Sequence, residues 1–347
     1  MVSRVVVTGA AGMLGTALVD RFVRDGRQVV GLDLVPPAAA HPDVEWIEGD
    51  IRDPTAVGKA VRGADLVLHS ATALPTYAEH EIHSINVDGA RTLLTGCREA
   101  DVPRVIHLSS AAVYGVPGTV PTPETHPPGP CDPYSRSKAA AEEVVAEFRA
   151  AGMVIPVLRA KTFVGPGRLG LFAMLFEWAD EGHNFPMLGG GDVRSQMLDV
   201  DDLVDAVTAA AVHPDDNAVN TAFNIAATEF RTLRQDFQSV LDAAGHGKRV
   251  VALPTAPAVG VLKALSRTGL SPVYGRLLQK LQVDSYVSTE RAAEALAFRP
   301  RYSNREALLR TFAWWRREHA RGQGAPTGRT SRAPWKQGAL SLGKALF

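Results

Sequence analysis

Residues 4–15 read RVVVTGAAGMLG, and the order within that stretch decides the fold. Val5, Val6 and Val7 are β-branched and favour a pleated strand. Glycines 9, 12 and 15 follow at every third position, and an apolar-periodic segment comes after them. Glycine permits the sharp reversal out of the strand and lets a helix start close against it. Strand, glycine turn and helix together open a βαβ unit. Outward from this point, short Val/Ile/Leu-rich runs keep alternating with longer amphipathic ones. The periodicity predicts strands at 4–8, 28–33, 44–48, 65–70, 104–109 and 154–159, and helices at 12–25, 54–62, 79–100 and 133–150. Nearly continuous apolar strands are buried on both faces, as in a parallel sheet covered by helices. Residues 1–160 are therefore expected to form a doubly wound α/β sheet.

From about residue 160 the helical segments lengthen, the strands become short and isolated, and Gly189, Gly190 and Gly191 interrupt the chain. Residues 161–320 read as a smaller C-terminal substrate lobe. It is expected to be partly interleaved with the first domain, because strands near 195–199 and 222–225 can rejoin the main sheet. After Glu318 no acidic residue occurs, while Arg321, Arg329, Arg332, Lys336 and Lys344 lie among Gly, Pro, Ser and Thr. Residues 321–347 read as a basic, mobile tail.

With 37 basic and 37 acidic residues the chain carries no net charge, which argues against a nucleic-acid partner. Two cysteines, Cys97 and Cys131, make neither a disulfide framework nor a zinc site, and no metal is expected. Met1 leads straight into the first strand without a signal-peptide pattern. The longest later apolar run, Ala256 to Leu265, is broken by Lys263 and is too short to span a bilayer. A soluble cytoplasmic enzyme is the expectation.

The glycine turn suits a pyrophosphate. Gly9 allows the turn, Gly12 the approach of phosphates to the backbone, and Gly15 the close packing of a helix whose N-terminus faces the negative charge. The spacing departs by one residue from the Rossmann fingerprint G-x-G-x-x-G. Asp33 ends the second strand, where a carboxylate accepts hydrogen bonds from adenosine ribose hydroxyls and repels a 2′-phosphate. No Arg or Lys follows it directly, which favours NAD over NADP. A turn or helix cap is the other reading of that Asp.

Further along, Asp132 and Pro133 suit the N-cap and first position of a helix. Tyr134 then lies in the first turn and Lys138 four residues on, on the same face. A phenol with a reference pKa near ~10 is a poor base, but a neighbouring ammonium stabilises the phenolate. Tyr134 could then exchange a proton with a substrate hydroxyl. Ser110 ends the strand in VIHLSSAAVYG, at the carboxyl edge where open α/β sheets bind ligands.

Taken in order, these residues resemble the extended short-chain dehydrogenases/reductases, also called the NAD-dependent epimerase/dehydratase family. The likeness runs from about residue 4 to 318. Beyond TGAAGMLG, Ser110 and YSRSK at 134–138, it includes GDIRD at 49–53, HSAT at 69–72, NVDGARTLL at 86–94, VDDL at 200–203 and FRPRYS at 298–303. It implies a Rossmann-type sheet, NAD as cofactor, and a homodimer formed through helices 79–100 and 133–150. By the same resemblance Asp50 and Ile51 line the adenine pocket, and Lys138 also holds the nicotinamide ribose. Met13, Leu14, Ala71 and Asn86 complete the expected cofactor set.

The family's sugar dehydratases carry an Asp-Glu pair after the strand-end Ser or Thr, and its decarboxylases keep the Glu. Here Ala111 and Ala112 occupy those places. Epimerisation and simple dehydrogenation or reduction remain, with an NAD-sensing regulator as a third possibility against which the intact Ser-Tyr-Lys set speaks. Epimerisation of a sugar or sugar nucleotide leads, because that activity dominates the family. The family's diphosphate-binding Asn and two Arg fall on Thr162, Ser195 and Leu278, although Arg159, Arg194 and Arg276 lie nearby. Thr162, Arg194, Gln196 and Ser110 are the candidate substrate contacts. A smaller or more apolar alcohol, handled by a dehydrogenase, stands almost level; the apolar segment 250–283 resembles hydroxysteroid-type members, with ordinary lobe core as its other reading. Asp199 reads either as a substrate contact or as the cap of a helix over 201–213.

Overall fold

The computed structural model describes residues 2–37, 41–167, 172–254 and 281–320. The basic tail, Arg276, Leu278 and most of the apolar segment 250–283 lie outside the described residues.

Seven parallel strands form the main sheet: β1 (Arg4–Thr8), β2 (Gln28–Asp33), β3 (Val44–Glu48), β4 (Leu66–His69), β5 (Arg104–Ser110), β6 (Val157–Ala160) and β10 (Ala222–Ile225), in the order β10-β6-β5-β4-β1-β2-β3. Helices α1 (Met13–Arg24) and α7 (Val200–Val212) cover one face, with Val5, Val7, Leu66, Leu68, Ile106 and Leu158 beneath them. On the other face α2 (Pro54–Val61), α4 (Gly89–Glu99) and α5 (Pro133–Ala150) bury Val6, Val67, Val105 and Val157. Alternate residues of each strand thus meet opposite helix layers, as the period of two requires.

The sixth strand begins later than the expected 154. Val154 makes only an isolated bridge to Arg104, and Pro156, lacking an N–H, precedes the regular ladder. The expected helix 79–100 is present as α3 (Glu79–His83) and α4, joined by a wider π-helical stretch, Ser84–Asp88. Gly89 lets this helix approach the loop after β3 closely: a Cβ there would meet Ile51 Cγ2 at 2.7 Å.

One of the two interleaving strands takes a different partner from the one expected. β10 does join the main sheet, beside β6. The other, β9 (Met197–Asp199), pairs with β7 (Thr162–Val164) in a separate two-stranded sheet, because β10 already occupies the outer edge of β6. A further pair joins β8 (Phe185–Leu188) to β11 (Val250–Leu253). Helices α6 (Phe172–Asp180) and α9 (Leu233–Ala244) enclose an aromatic core that includes Phe172, Phe176, Trp178, Phe185 and Phe237. Short α8 (Asp216–Val219) and α10 (Glu290–Ala295) precede α11 (Asn304–Ala320), the last helix among the described residues, which adds Phe312 and Trp315 to that core.

The two late motifs meet as a clasp. Asp202 of VDDL accepts the backbone N–H groups of Arg301 and Tyr302 at 2.9 and 3.1 Å. Asp199 is the N-cap of α7: its carboxylate accepts the Asp201 N–H at 2.9 Å and pairs with Arg310 at 2.8 Å. Of its two sequence readings, the cap is the one the geometry realises. Burial pushes the Asp199 carboxyl up to about 6.

Candidate active site

A cavity of about 700 Å³ runs along the carboxyl edge of the sheet, from the turn after β1 past β4 to the ends of β5 and β6. Its size falls within the range of small-molecule and cofactor sites. Gly9, Gly12, Met13, Leu14 and Gly15 line one end. Gly9 has φ +66°, and a Cβ there would come within 2.8 Å of the Ala71 Cα. A Cβ on Gly15 would sit 2.0 Å from the Gly9 carbonyl oxygen, so helix α1 starts this close to the strand only with glycine. The cavity's glycine-turn end therefore fits a pyrophosphate at the N-terminus of α1.

Asp33, Asp50, Ile51 and Ala71 also line this end. The Asp33 carboxylate accepts the Ala11 N–H at 2.8 Å and the Leu34 N–H at 2.7 Å, so it braces the glycine turn as well as facing the cavity. Asp50 is held by Arg52, whose Nε lies 2.8 Å away, and hydrogen bonding to that guanidinium keeps its carboxyl below the usual range. Asn86 stands apart from the wall. Buried in the π-helical stretch, it accepts the Ala73 N–H at 2.8 Å and the Thr72 hydroxyl at 2.9 Å, and donates to Ser137 Oγ at 2.8 Å. It thus fastens the loop after β4 to α5, the helix that carries Tyr134 and Lys138.

At the other end Ser110, Tyr134 and Lys138 share the wall. Asp132 caps α5 through the Ser135 N–H at 2.7 Å and Pro133 opens it, which sets Tyr134 in the first turn. Ser110 Oγ accepts the Ala112 N–H at 3.1 Å at the end of β5. Lys138 is only 5% exposed; its Nζ donates to the Leu108 carbonyl at 3.0 Å and lies 6.0 Å from the Tyr134 ring centre. Burial pulls its pKa from 10.5 down to about 8, with Glu142 opposing. Ala111 and Ala112 line the cavity beside Ser110, so no carboxylate occupies the two places after the strand-end serine.

The expected substrate contacts divide. Thr162 lines the cavity. Arg194 and Gln196 are outside its wall: Arg194 is exposed, bound to Asp284 at 2.9 Å and to the Tyr286 hydroxyl at 2.9 Å. Buried Gln196 spends its amide on the Ala227 carbonyl at 2.6 Å and the Val287 N–H at 2.8 Å. Arg159, a possible substitute cation, is also outside the cavity wall and is held against α5. It is paired with Glu142 at 2.6 Å and donates to the Tyr114 hydroxyl at 2.7 Å, while Ser109 Oγ bonds the same Glu142 at 2.5 Å. This network and Lys161, which also lines the cavity, went unnoticed in the sequence. For Lys161 the signal was present: a charged residue directly after a strand, at the ligand-binding edge of the sheet.

One continuous cavity thus joins the glycine turn to Ser110, Tyr134 and Lys138. Residues 5–226 match the model of the NAD dependent epimerase/dehydratase family. The chain belongs to that family and is an NAD-dependent enzyme. It is 33% identical to the uncharacterized protein y4nG of Sinorhizobium fredii, over 99% of this chain and 86% of that protein. It is 28% identical to the 3 beta-hydroxysteroid dehydrogenase/Delta 5→4-isomerase of Mycobacterium tuberculosis, over 90% of each. Among solved structures, MoeE5 in complex with UDP-glucuronic acid and NAD superposes with a TM-score of 0.75 at 26% identity, covering 91% of this chain and 100% of the other. Among the described residues no helix is long and apolar enough to cross a membrane.

Proposed function

We propose that this enzyme is a dehydrogenase or ketoreductase that interconverts a secondary alcohol and its ketone on a substrate not held through a nucleoside diphosphate. The observation that carries this reading is the engagement of Arg159 by Glu142 and Tyr114, and of Arg194 by Asp284 and Tyr286. Among the described residues, both guanidinium groups near the expected diphosphate positions already have charge-assisted partners, and releasing them would forfeit those bonds. Extensive similarity to a hydroxysteroid dehydrogenase supports the same conclusion.

Bound NAD supplies the hydride acceptor or, reduced, the donor. The chain's own residues handle the proton. Ser110 donates a hydrogen bond to the reacting oxygen, and Tyr134 takes the hydroxyl proton during oxidation and returns it during reduction. Lys138, charged below about pH 8, stabilises the phenolate and the ribose-side hydroxyls. Gly9, Gly12, Met13, Leu14 and Gly15 hold the pyrophosphate, Asp33 the adenosine ribose, and Asp50, Ile51 and Ala71 the adenine side. Asn86 acts as a positioning residue, and Thr162 faces the substrate. A homodimer through α4 and α5, working in the cytoplasm, completes the proposal; Arg91 and Glu147, 2.6 Å apart, tie those two helices side by side.

Calorimetric titration of the NAD-loaded protein with UDP, dTDP and GDP tests the reading. The expected result is no binding to any of the three, together with net NADH formation from a secondary alcohol. Micromolar binding overturns it in favour of sugar-nucleotide epimerisation, the second reading, which similarity to MoeE5 favours. In that reaction hydride returns to the same substrate and no NADH accumulates.

A further inference from the structure

The side chains assigned to proton transfer come from two elements: Ser110 ends β5, while Tyr134 and Lys138 stand in the first turns of α5. Such a set works only if its members are held within about 0.5 Å of the productive geometry. Two hydrogen bonds, at successive turns of the helix, tie the elements together. Lys138 Nζ donates to the Leu108 carbonyl at 3.0 Å, and one turn further on Glu142 Oε1 accepts the Ser109 hydroxyl at 2.5 Å. Leu108 and Ser109 are the two residues before Ser110, so both bonds act on the strand end that presents it.

Glu142 is held in turn from β6. Arg159 is the ladder partner of Ser109, so the two side chains leave the sheet on the same face. Its Nη2 donates to Glu142 Oε2 at 2.6 Å and its Nε to both carboxylate oxygens at 3.1 Å. Its Nη1 donates to the Tyr114 hydroxyl at 2.7 Å, and that hydroxyl donates to Asn224 Oδ1 on β10 at 2.9 Å. Ser109 and Tyr114 stand on either side of Ser110 in the chain, so one ion pair braces the segment before and after it. Apolar residues of similar volume often serve stability as well as a buried ion pair does. Stability alone therefore gives little reason for this pair, whereas its attachments give one.

Electrostatics point the same way. The ionisable side chains that face Lys138 among the described residues are Tyr134 and Glu142 on α5, His69 on β4 and His107 on β5. Burial takes His69 down to about 3 and His107 well below its usual range, so both imidazoles are neutral at physiological pH. Glu142, four residues beyond Lys138 on the same helix face, is the carboxylate that opposes desolvation of the ammonium. Arg159 and Arg149 are attracted to Glu142 in their turn.

We propose that Glu142 is a positioning residue for Lys138 and Ser110: fixed by Ser109 and Arg159, its carboxylate anchors the α5 turn that carries the lysine to the end of β5 and places a negative charge one turn from the ammonium. The inference rests on the role proposed for Lys138 at the ribose-side hydroxyls of the cofactor.

NADH titration of the full chain by fluorescence, repeated from about pH 6.5 to 10, tests it. Wild-type affinity is expected to fall roughly fivefold as the pH rises through about 8, where Lys138 loses its proton, and Lys138→Met should lack that step. Glu142→Gln keeps the size and an acceptor for Ser109 but removes the charge, and should move the step down by about one pH unit or more. The double variant Glu142→Gln/Arg159→Met, which leaves no guanidinium at that site without its carboxylate, should show the same move and serves if the single variant does not fold. A merely structural role would weaken binding evenly across the range and leave the step in place. A step that stays at the wild-type pH in either folded variant overturns the inference and spares the role of Lys138. Absence of a Lys138-dependent step in the wild type overturns that role and the inference with it.

Discussion

Lys138 is held in the fold at a cost, and that cost is measurable in the NAD-free protein. The fall in its pKa from 10.5 to about 8, caused first by burial, corresponds to about 3 kcal/mol of disfavoured charge at neutral pH. Lys138→Met removes the charge and keeps most of the aliphatic length. It also removes the bond to the Leu108 carbonyl, worth about 1 kcal/mol. The net expectation at pH 7 is a variant more stable by about 2 kcal/mol, with a melting temperature higher by a few degrees. The pH dependence gives the sharper test. Between about pH 8 and 10.5 the folded wild type has released the Lys138 proton while the unfolded chain still binds it, so wild-type stability rises with pH across that window. The variant's advantage should therefore shrink from pH 8 upward. Urea denaturation of both proteins at pH 7 and pH 10 measures it, since other groups titrate alike in the two chains. A variant less stable at pH 7, or an advantage that does not change with pH, would refute the assignment of that strain to the buried ammonium.

Three further outcomes are expected. Tyr134→Phe should lower turnover by about 10²–10⁴-fold and leave NADH binding intact; an active variant sinks its role in proton transfer. Gly9→Ala places a side chain at φ +66° and against Ala71, costing about 1–2 kcal/mol for the backbone alone, and NADH fluorescence titration should show at least about tenfold weaker binding. Glu142→Leu leaves the Arg159 guanidinium buried without its carboxylate and should cost about 3–5 kcal/mol in urea denaturation, most of it recovered in the double variant with Arg159→Met. A loss below about 1 kcal/mol in the single variant would show that Arg159 finds other partners or water.

The main sheet was legible because its strands are written in residues that serve little other purpose: Val5 to Val7, Val29 and Val30, and Leu66 to Leu68 are apolar on both faces. Glycine spacing made the first turn legible for the same local reason. The second lobe was harder, since its short strands acquire partners only through contacts distant in sequence, and nothing local to Met197–Asp199 indicates pairing with Thr162–Val164. Arg194 was drawn toward the site by its place beside the family's diphosphate position and Gln196 by its polarity, whereas Asp284, Ala227 and Val287, which actually engage them, lie 31 or more residues away. The π-helical stretch was hidden because Asn86 bonds across to Ala73 and Ser137, contacts that no helical period encodes.

The position of β10 bears on how the protein is made. A nascent chain that has reached Ala160 presents β6, with Val157, Leu158 and Ala160, as an open apolar sheet edge, the kind of template that other chains pair with. At ribosomal speeds of about 5–20 residues per second, the stretch from Ala160 to Ile225 takes roughly 3–13 s to follow it out. Cutting the gene after residue 160 would make the exposure permanent, so the half of the molecule bearing the complete Gly-Ser-Tyr-Lys set is the half least suited to be expressed alone.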